Sequence, residues 1–261
     1  MLKKGGERSN SLNKRGQVTL FVILGIIIVA AAILIYIFYP QIKNSLGVQT
    51  KAPSVYMQEC LQKDLQDYVD KLSVQGGKLN PSVYILYKDQ KIEYLCYTNE
   101  YYKPCVMQIP GIKGSIEGEL SRGLKDKTDS CFKSMIDSYQ GAGYDVRSDR
   151  GDTTIELLPN RVAVRFNSTI VLQRGETQRY SGFNVVVNNN IYELASIAES
   201  ILNWEARYGN ADTTPYMVYY NDLKVEKYQQ SDGSRIYIIT DRNTGNKFQF
   251  ASRSYAFPAG Y

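Results

Sequence analysis

Four cysteines are the residues of this chain with the clearest chemistry, and all of them follow an apolar N-terminal segment: Cys60, Cys96, Cys105 and Cys131. No Cys-x-x-Cys pair occurs and the chain contains no histidine, which argues against a zinc site. An even number of cysteines outside the cytoplasm is typical of disulfides, and four cysteines allow three connectivities. We expect Cys96–Cys105, which would close a tyrosine-rich loop, and Cys60–Cys131, which would join two predicted helices.

The absence of histidine also limits catalysis. It removes Ser-His-Asp and Cys-His catalysis, the common zinc hydrolase sites and the commonest general base. The acidic residues Asp145, Asp149, Asp152 and Glu156 cluster in a loop that contains a glycine, but their spacing lacks the Gly and the terminal Glu of an EF-hand. A solvated turn is therefore favoured over a cation site, and we predict no enzymatic activity, no cofactor and no metal.

Tyrosine is unusually frequent, with 22 residues against 8 Phe and 1 Trp. Tyrosine buries a large ring while its hydroxyl tolerates water, so it is favoured at recognition surfaces. It also has a high strand propensity, and cross-strand pairs would account for most of these residues. The loop 97–105 is the best candidate for contact with a protein or glycan partner outside the cell, through Tyr97, Tyr101 and Tyr102.

One acceptor sequence for N-glycosylation, Asn167-Ser168-Thr169, lies on a predicted strand over 161–173. Val164 and Phe166 would face the core, so strand alternation turns Asn167 to the solvated face. An exposed Asn167 could carry a glycan in an exported protein, whereas a paired or inward position would block the modification.

The elements that would position these residues are strands interspersed with about three helices. Helical spacing of apolar residues predicts helices over 54–73, 116–140 and 191–207. Alternation and turn residues predict strands over 82–88, 91–97, 153–158, 161–173 and 178–187, then a meander over 216–220, 223–230, 234–241 and 246–255. Without regular βαβ alternation, this order predicts an α+β fold with an antiparallel sheet, stapled by the disulfides.

The chain divides into five predicted segments. A basic leader covers residues 1–16, an apolar helix 17–39 and a linker 40–53. The folded part is an α+β ectodomain over 54–209, followed by a C-terminal β-meander over 210–261. The meander is either part of the same domain or a small appended module.

The N-terminal apolar segment predicts a transmembrane helix over 17–39. No charged residue occurs from Gln17 to Ile42, and the apolar part Val18–Tyr39 would rise about 33 Å as a helix, close to the ~30 Å of a hydrocarbon core. The tail before it is strongly basic, so the positive-inside rule leaves the N-terminus in the cytoplasm. Residues 43–261 would then lie outside a cell membrane, with the lipid bilayer as a partner of this single-pass protein.

The distribution of charge argues against one class of partner. The whole chain carries a net charge of +5, and the leader accounts for most of it. The remainder is nearly neutral, with both signs interspersed, and has no electrostatic footprint for nucleic acid. We therefore expect no nucleic acid partner.

The segment 15–21, RGQVTLF, resembles the class III signal peptide of archaeal prepilins. In that family a membrane-embedded prepilin peptidase cuts between a Lys/Arg-Gly leader and a Gln-led apolar helix. The resemblance places the processing site at Arg15, Gly16 and Gln17, with the cleaved bond after Gly16, and it implies prepilin peptidase and self-assembly as partners. Pilins usually carry an acidic residue where this chain has Phe21. The alternative is an ordinary signal anchor that stays uncut.

Two function hypotheses follow from these observations. The first is a membrane-anchored structural or adhesion protein of an archaeal cell surface, in its most specific form a minor pilin-like subunit of a surface appendage. The alternative is a receptor or scaffold ectodomain that never polymerises and binds an extracellular protein or glycan.

Overall fold

The structure is a computed structural model that describes residues 14–45 and 51–258, with the side chains of 22–37 and 51–258. The chain forms two compact units, Met1–Thr50 and Lys51–Tyr261. The first unit contains one helix, α1, over Lys14–Ser45. Every other helix and strand described below belongs to the second unit.

The prediction of a transmembrane helix over 17–39 is wrong. Over the residues that the structure describes, no helix is both long and apolar enough to cross a membrane. The sequence-based estimate counts the apolar run 18–39 from residue types alone.

Within residues 51–258 the second unit contains four helices: α2 (Pro53–Val74), α3 (Ile112–Gly141), α4 (Ile191–Tyr208) and α5 (Thr214–Tyr219). The first three match the predicted helices within a few residues. On α2 the buried residues Met57, Leu61, Leu65 and Val69 recur every fourth position, which gives the helix one apolar face. The predicted linker 40–53 overlaps both α1 and α2, and residues 46–50 lie outside the described part of the chain.

The number of helices in the folded part also differs from the prediction, because the described part of the second unit contains four rather than about three. The addition is α5, which replaces the predicted strand 216–220. Pro215 lies in the first turn of α5, where its fixed φ favours a helix start. The Tyr216 hydroxyl lies 2.8 Å from the Ser200 hydroxyl of α4, which ties this short helix to the core.

The described residues form ten strands in two sheets: β1 (Tyr84–Tyr87), β2 (Gln90–Tyr97), β3 (Val106–Met107), β4 (Asp145–Asp149), β5 (Thr153–Leu158), β6 (Arg161–Arg174), β7 (Glu176–Asn188), β8 (Leu223–Gln229), β9 (Ser234–Asp241) and β10 (Lys247–Arg253). The 6-stranded sheet has the order β1-β2-β10-β9-β8, with β3 also paired to β2. In the 4-stranded sheet β4 and β5 pair with successive parts of β6, and β7 pairs with β6 along most of its length.

The predicted all-antiparallel sheet is wrong, because β10 runs parallel to β2, with Arg253 beside Tyr97 in the register. Alternation along a strand identifies the strand but not the neighbour it will choose, so this pairing has no local signal. β4 likewise forms where a solvated turn is predicted. The parallel pair places the C-terminal strands in the same sheet as β1–β3, within one compact unit.

One hydrophobic core holds the second unit together. It includes buried residues of α2, α3 and α4 and of both sheets, among them Leu65, Leu120, Phe166, Ile201 and Phe248. A smaller cluster of Ile92, Tyr94, Ile236 and Ala251 lies on the 6-stranded sheet. Burial of this kind supplies most of the favourable free energy of folding. The loops at the sheet ends are therefore attached to a rigid, close-packed core.

Candidate binding site at the disulfide loop

Both disulfides form in the predicted pairing, and the described residues contain no free cysteine. Cys60–Cys131 joins α2 to α3, with 6.0 Å between the Cα atoms. Cys96–Cys105 joins the end of β2 to the residue before β3, with 5.3 Å between the Cα atoms. The second disulfide closes the loop 97–105, in which the sequence predicts a recognition site.

This loop is bonded along its length to the segment 253–256 that follows β10. Four hydrogen bonds make the connection: Thr98 N to Arg253 O at 3.1 Å, Tyr102 N to Ala256 O at 3.0 Å, Tyr255 N to Lys103 O at 2.8 Å, and Cys105 N to Ser254 Oγ at 2.9 Å. Three of these bonds join backbone to backbone, like a short strand ladder. The disulfide and the ladder together leave the loop with little conformational freedom.

The outward side of the two segments carries an aromatic surface, which we name the loop surface and define as Tyr101, Tyr102 and Phe257; Arg253 is buried beneath it. Tyr101 and Tyr102 are each 48% exposed and Phe257 is 58% exposed. The Tyr102 and Phe257 rings meet edge to face with 5.3 Å between centroids. The Arg253 guanidinium lies 5.3 Å from the centre of the Tyr101 ring. Aromatic residues are among the types that dominate binding energy at protein interfaces.

Tyr102 holds an uncommon backbone conformation, with φ +58. A residue with a Cβ pays about 1–2 kcal/mol in this left-handed region, so the surroundings must hold it there. The hydrogen bond from its N–H to Ala256 does so, and so does the flanking disulfide. Backbone strain of this kind concentrates at binding sites, where it fixes the direction of a side chain.

Tyr97, the third predicted contact residue, is half-buried and packs against the small cluster on the sheet. Its ring lies 4.9 Å from that of Tyr94, whose hydroxyl is 2.7 Å from the Ser234 hydroxyl. Burial raises the pKa of the Tyr94 hydroxyl. Tyr97 therefore packs on the sheet, beside Arg253 in the register of β2 and β10, while Tyr101 and Tyr102 present their rings to solvent.

Below the loop surface lies a buried ionic network centred on Glu205 of α4, which is fully buried. The Glu205 carboxylate accepts hydrogen bonds from Arg235 Nη1 at 2.9 Å, from Ser252 Oγ at 3.0 Å and from Ala211 N at 3.0 Å, and another from the Tyr237 hydroxyl. Burial and the adjacent carboxylate raise the pKa of the Tyr237 phenol. The Glu205 side chain thus links α4 to β9 and β10 through hydrogen bonds.

The network continues directly into the segment that holds the loop. Ser254 Oγ donates to the Glu205 carbonyl at 2.9 Å, and Arg235 Nη1 donates to the Ser254 carbonyl at 3.1 Å. Arg253 donates to the Thr98 carbonyl at 2.6 Å and to the Asp232 carbonyl at 3.1 Å. The polar groups under the loop surface are therefore satisfied, which is the condition for a rigid site.

The sequence-based prediction misses Glu205, Arg253 and Phe257. Glu205 had a usable signal, because it lies four residues after Ile201 on the apolar stripe of a predicted helix. The sequence contains no such signal for Arg253 and Phe257, because only the parallel pairing of β10 with β2 brings them to the loop.

The remaining predicted site residues lie elsewhere. Asn167 is exposed at a bulge in β6, so its glycosylation stays a prediction. Arg15, Gly16 and Gln17 lie in the first turn of α1, and their side chains are outside the described part, so processing also stays a prediction. Glu156 forms an ion pair with Arg165 at 2.9 Å across β5 and β6. Among the described residues, no group of three or more Cys, Asp or Glu is arranged to hold a metal ion.

Comparison with other proteins gives no relative for this geometry. No protein-family model matches the chain, and neither the search of curated proteins nor the search of solved structures returns a match. The function is therefore argued from the residues of this chain alone.

Proposed function

We propose that residues 51–258 form a recognition module that works outside the cytoplasm and binds a protein or glycan partner through the loop surface. The observation that carries the proposal is the set of exposed rings of Tyr101, Tyr102 and Phe257 on two segments joined by a disulfide and a hydrogen-bond ladder. Disulfides persist in oxidising compartments, which supports a place outside the cytoplasm.

Preorganisation is the physical reason to expect binding at this surface. Association costs free energy when loops and side chains must be ordered, and a surface that is already fixed avoids most of this cost. Tyr101 and Tyr102 are held by the ladder, and Arg253 is held by its bonds to the Thr98 and Asp232 carbonyls. Exposed rings then gain contact area on a partner with little loss of entropy.

A variant that lacks the rings tests the proposal. Tyr101→Ala combined with Phe257→Ala should weaken binding of the labelled full-length protein to isolated envelopes of its own source organism at least tenfold, since each hot-spot ring contributes about 1–2 kcal/mol. The dissociation constant from a saturation curve is the measurement. The matched control is Trp204→Ala with Tyr208→Ala, which removes another exposed ring pair, with 4.8 Å between centroids.

Equal affinity of the loop-surface variant and of this control would contradict the proposal. Unfolding temperatures of both variants within a few degrees of the parent protein would show that the difference is not a folding defect.

A second candidate is a minor pilin-like subunit of a surface appendage, favoured by the Arg15-Gly16-Gln17 sequence in the first turn of α1. Under this proposal the mature protein begins at Gln17.

Mass spectrometry of the intact protein from its native source should give the processed mass. Gly16→Val should block processing, whereas Gly25→Val, a matched change in the same helix, should not. A native protein that retains Met1 would exclude this candidate and leave the recognition module unaffected.

A further inference from the structure

A cleft separate from the loop surface lies between the N-terminal turns of α4 and the segment 219–223, which begins at the last residue of α5. Its volume is about 690 Å³, within the range of about 300–1,000 Å³ that is typical of small-molecule sites. The walls include Tyr192 and Ile197 from α4 and Tyr219 and Tyr220 from the opposite side.

The charged groups that line the cleft are all acidic. Glu193, Asp222 and Asp241 contribute carboxylates, and no lysine or arginine is among the lining residues. Two cations border the cleft and offset part of this charge: the Lys113 ammonium lies over the Tyr192 ring, and Arg242 Nη1 donates to the Asn221 carbonyl at 3.1 Å. The α4 N-terminus adds a positive partial charge of about half a unit. The carboxylates still exceed the bordering cations, three against two, so the cleft favours a cation over an anion.

Two of the three carboxylates have unused hydrogen-bonding capacity. Asp241 is engaged, since it accepts bonds from Asn190 at 2.6 Å and from two backbone N–H groups of the following turn at 2.8 and 3.0 Å. Glu193 accepts one bond, from the Asn160 N–H at 2.9 Å, and its Oε2 is buried with no partner among the described residues. Asp222 is exposed, and only its backbone carbonyl is bonded, to the Arg242 N–H at 2.7 Å.

The aromatic walls indicate what kind of cation fits. Tyr219 is 82% exposed and Tyr220 is 56% exposed, so both rings have free faces. The Tyr192 ring already has an ammonium group over it, with Lys113 Nζ 5.0 Å from the centroid. Ammonium groups and their methylene chains favour aromatic faces, whereas hard metal ions favour shells made of oxygen alone.

We propose that this cleft binds an organic cation, an alkylammonium group that pairs with Asp222 while Tyr219 and Tyr220 cover its methylene chain. The ligand is either a free polyamine or a lysine side chain presented by a peptide, which share this chemistry. A neutral sugar would also stack on the rings, but it would leave the carboxylates without counter-charge. The site is independent of the loop surface and of its partner.

Calorimetric titration of the full-length protein tests the proposal, with spermidine and tetralysine as the two cationic probes and N-acetylglucosamine as the neutral probe. Both cations should bind at low ionic strength and weaken on addition of salt. Asp222→Asn should weaken them about fivefold, as expected for one exposed ion pair. Tyr219→Ala with Tyr220→Ala should have at least the same effect. Asp137→Asn, the same charge change at an exposed position of α3, is the control.

The comparison of probes also identifies the source of the cation. Tetralysine that binds at least tenfold tighter than spermidine indicates a peptide, and similar affinities indicate a polyamine. The proposal is overturned if neither cation binds, if Asp222→Asn and Asp137→Asn behave alike, or if N-acetylglucosamine binds and the cations do not. Asp222 makes no side-chain bond, so its variant should fold as the parent does.

Discussion

Glu205→Met is expected to lower the free energy of unfolding by about 3–5 kcal/mol, which is the usual cost of breaking a buried ion pair by removing one partner. The change leaves the Arg235 guanidinium, only 8% exposed, without its counter-charge. It also removes the acceptor for the Ser252 hydroxyl and for the Ala211 N–H. Equilibrium unfolding in urea, followed by circular dichroism, measures the loss.

A double-mutant cycle separates the ion pair from the rest of the network. Arg235→Met alone should also destabilise strongly, because it leaves the Glu205 carboxylate buried and unpaired. The double variant should lose less than the sum of the single losses, with a coupling free energy of about 3 kcal/mol. Glu199→Met is the control on the same helix, since the Glu199 side chain makes no hydrogen bond or ion pair within the described residues. An additive double variant would contradict the network.

Those features that depend on short-range patterns could be predicted from the sequence. The three long helices of the second unit and strands β8 and β10 follow from apolar spacing and turn residues, because each periodicity shows within a few turns or strand residues. The two disulfides follow because one closes a short loop at a strand end and the other joins two predicted helices. Composition and loop position predict exposed rings at Tyr101 and Tyr102, and both rings are exposed, whereas their role in binding stays a prediction.

The features that the sequence could not supply depend on contacts between distant segments. The parallel pairing of β10 with β2 turns an antiparallel prediction into a mixed sheet and brings Arg253 and Phe257 to the loop. α5 contains residues that favour strands. It forms a helix because Pro215 favours a helix start and because Tyr216 contacts α4. Propensity is a weak term that such tertiary contacts override.

Removal of the Cys60–Cys131 disulfide by Cys60→Ala and Cys131→Ala is expected to lower the free energy of unfolding by about 4 kcal/mol. The two cysteines are 71 residues apart, and in the chain-entropy model a longer closed loop restricts the unfolded chain more strongly. The link joins α2 to α3, whose buried faces form much of the core, so the loss acts on the whole second unit. Denaturant unfolding of the parent and variant measures it.

The second disulfide is the matched control. Its removal should destabilise the protein less, and weaken binding more, than removal of Cys60–Cys131. Cys96 and Cys105 are only 9 residues apart, so removing this link by Cys96→Ala and Cys105→Ala should cost about 2.5 kcal/mol. Removing Cys96–Cys105 frees the loop that carries Tyr101 and Tyr102, so binding to envelopes should weaken at least tenfold. The variant without Cys60–Cys131 should bind as the parent does under conditions where it is folded. Equal binding by both variants would contradict the expectation that the Cys96–Cys105 disulfide contributes to affinity.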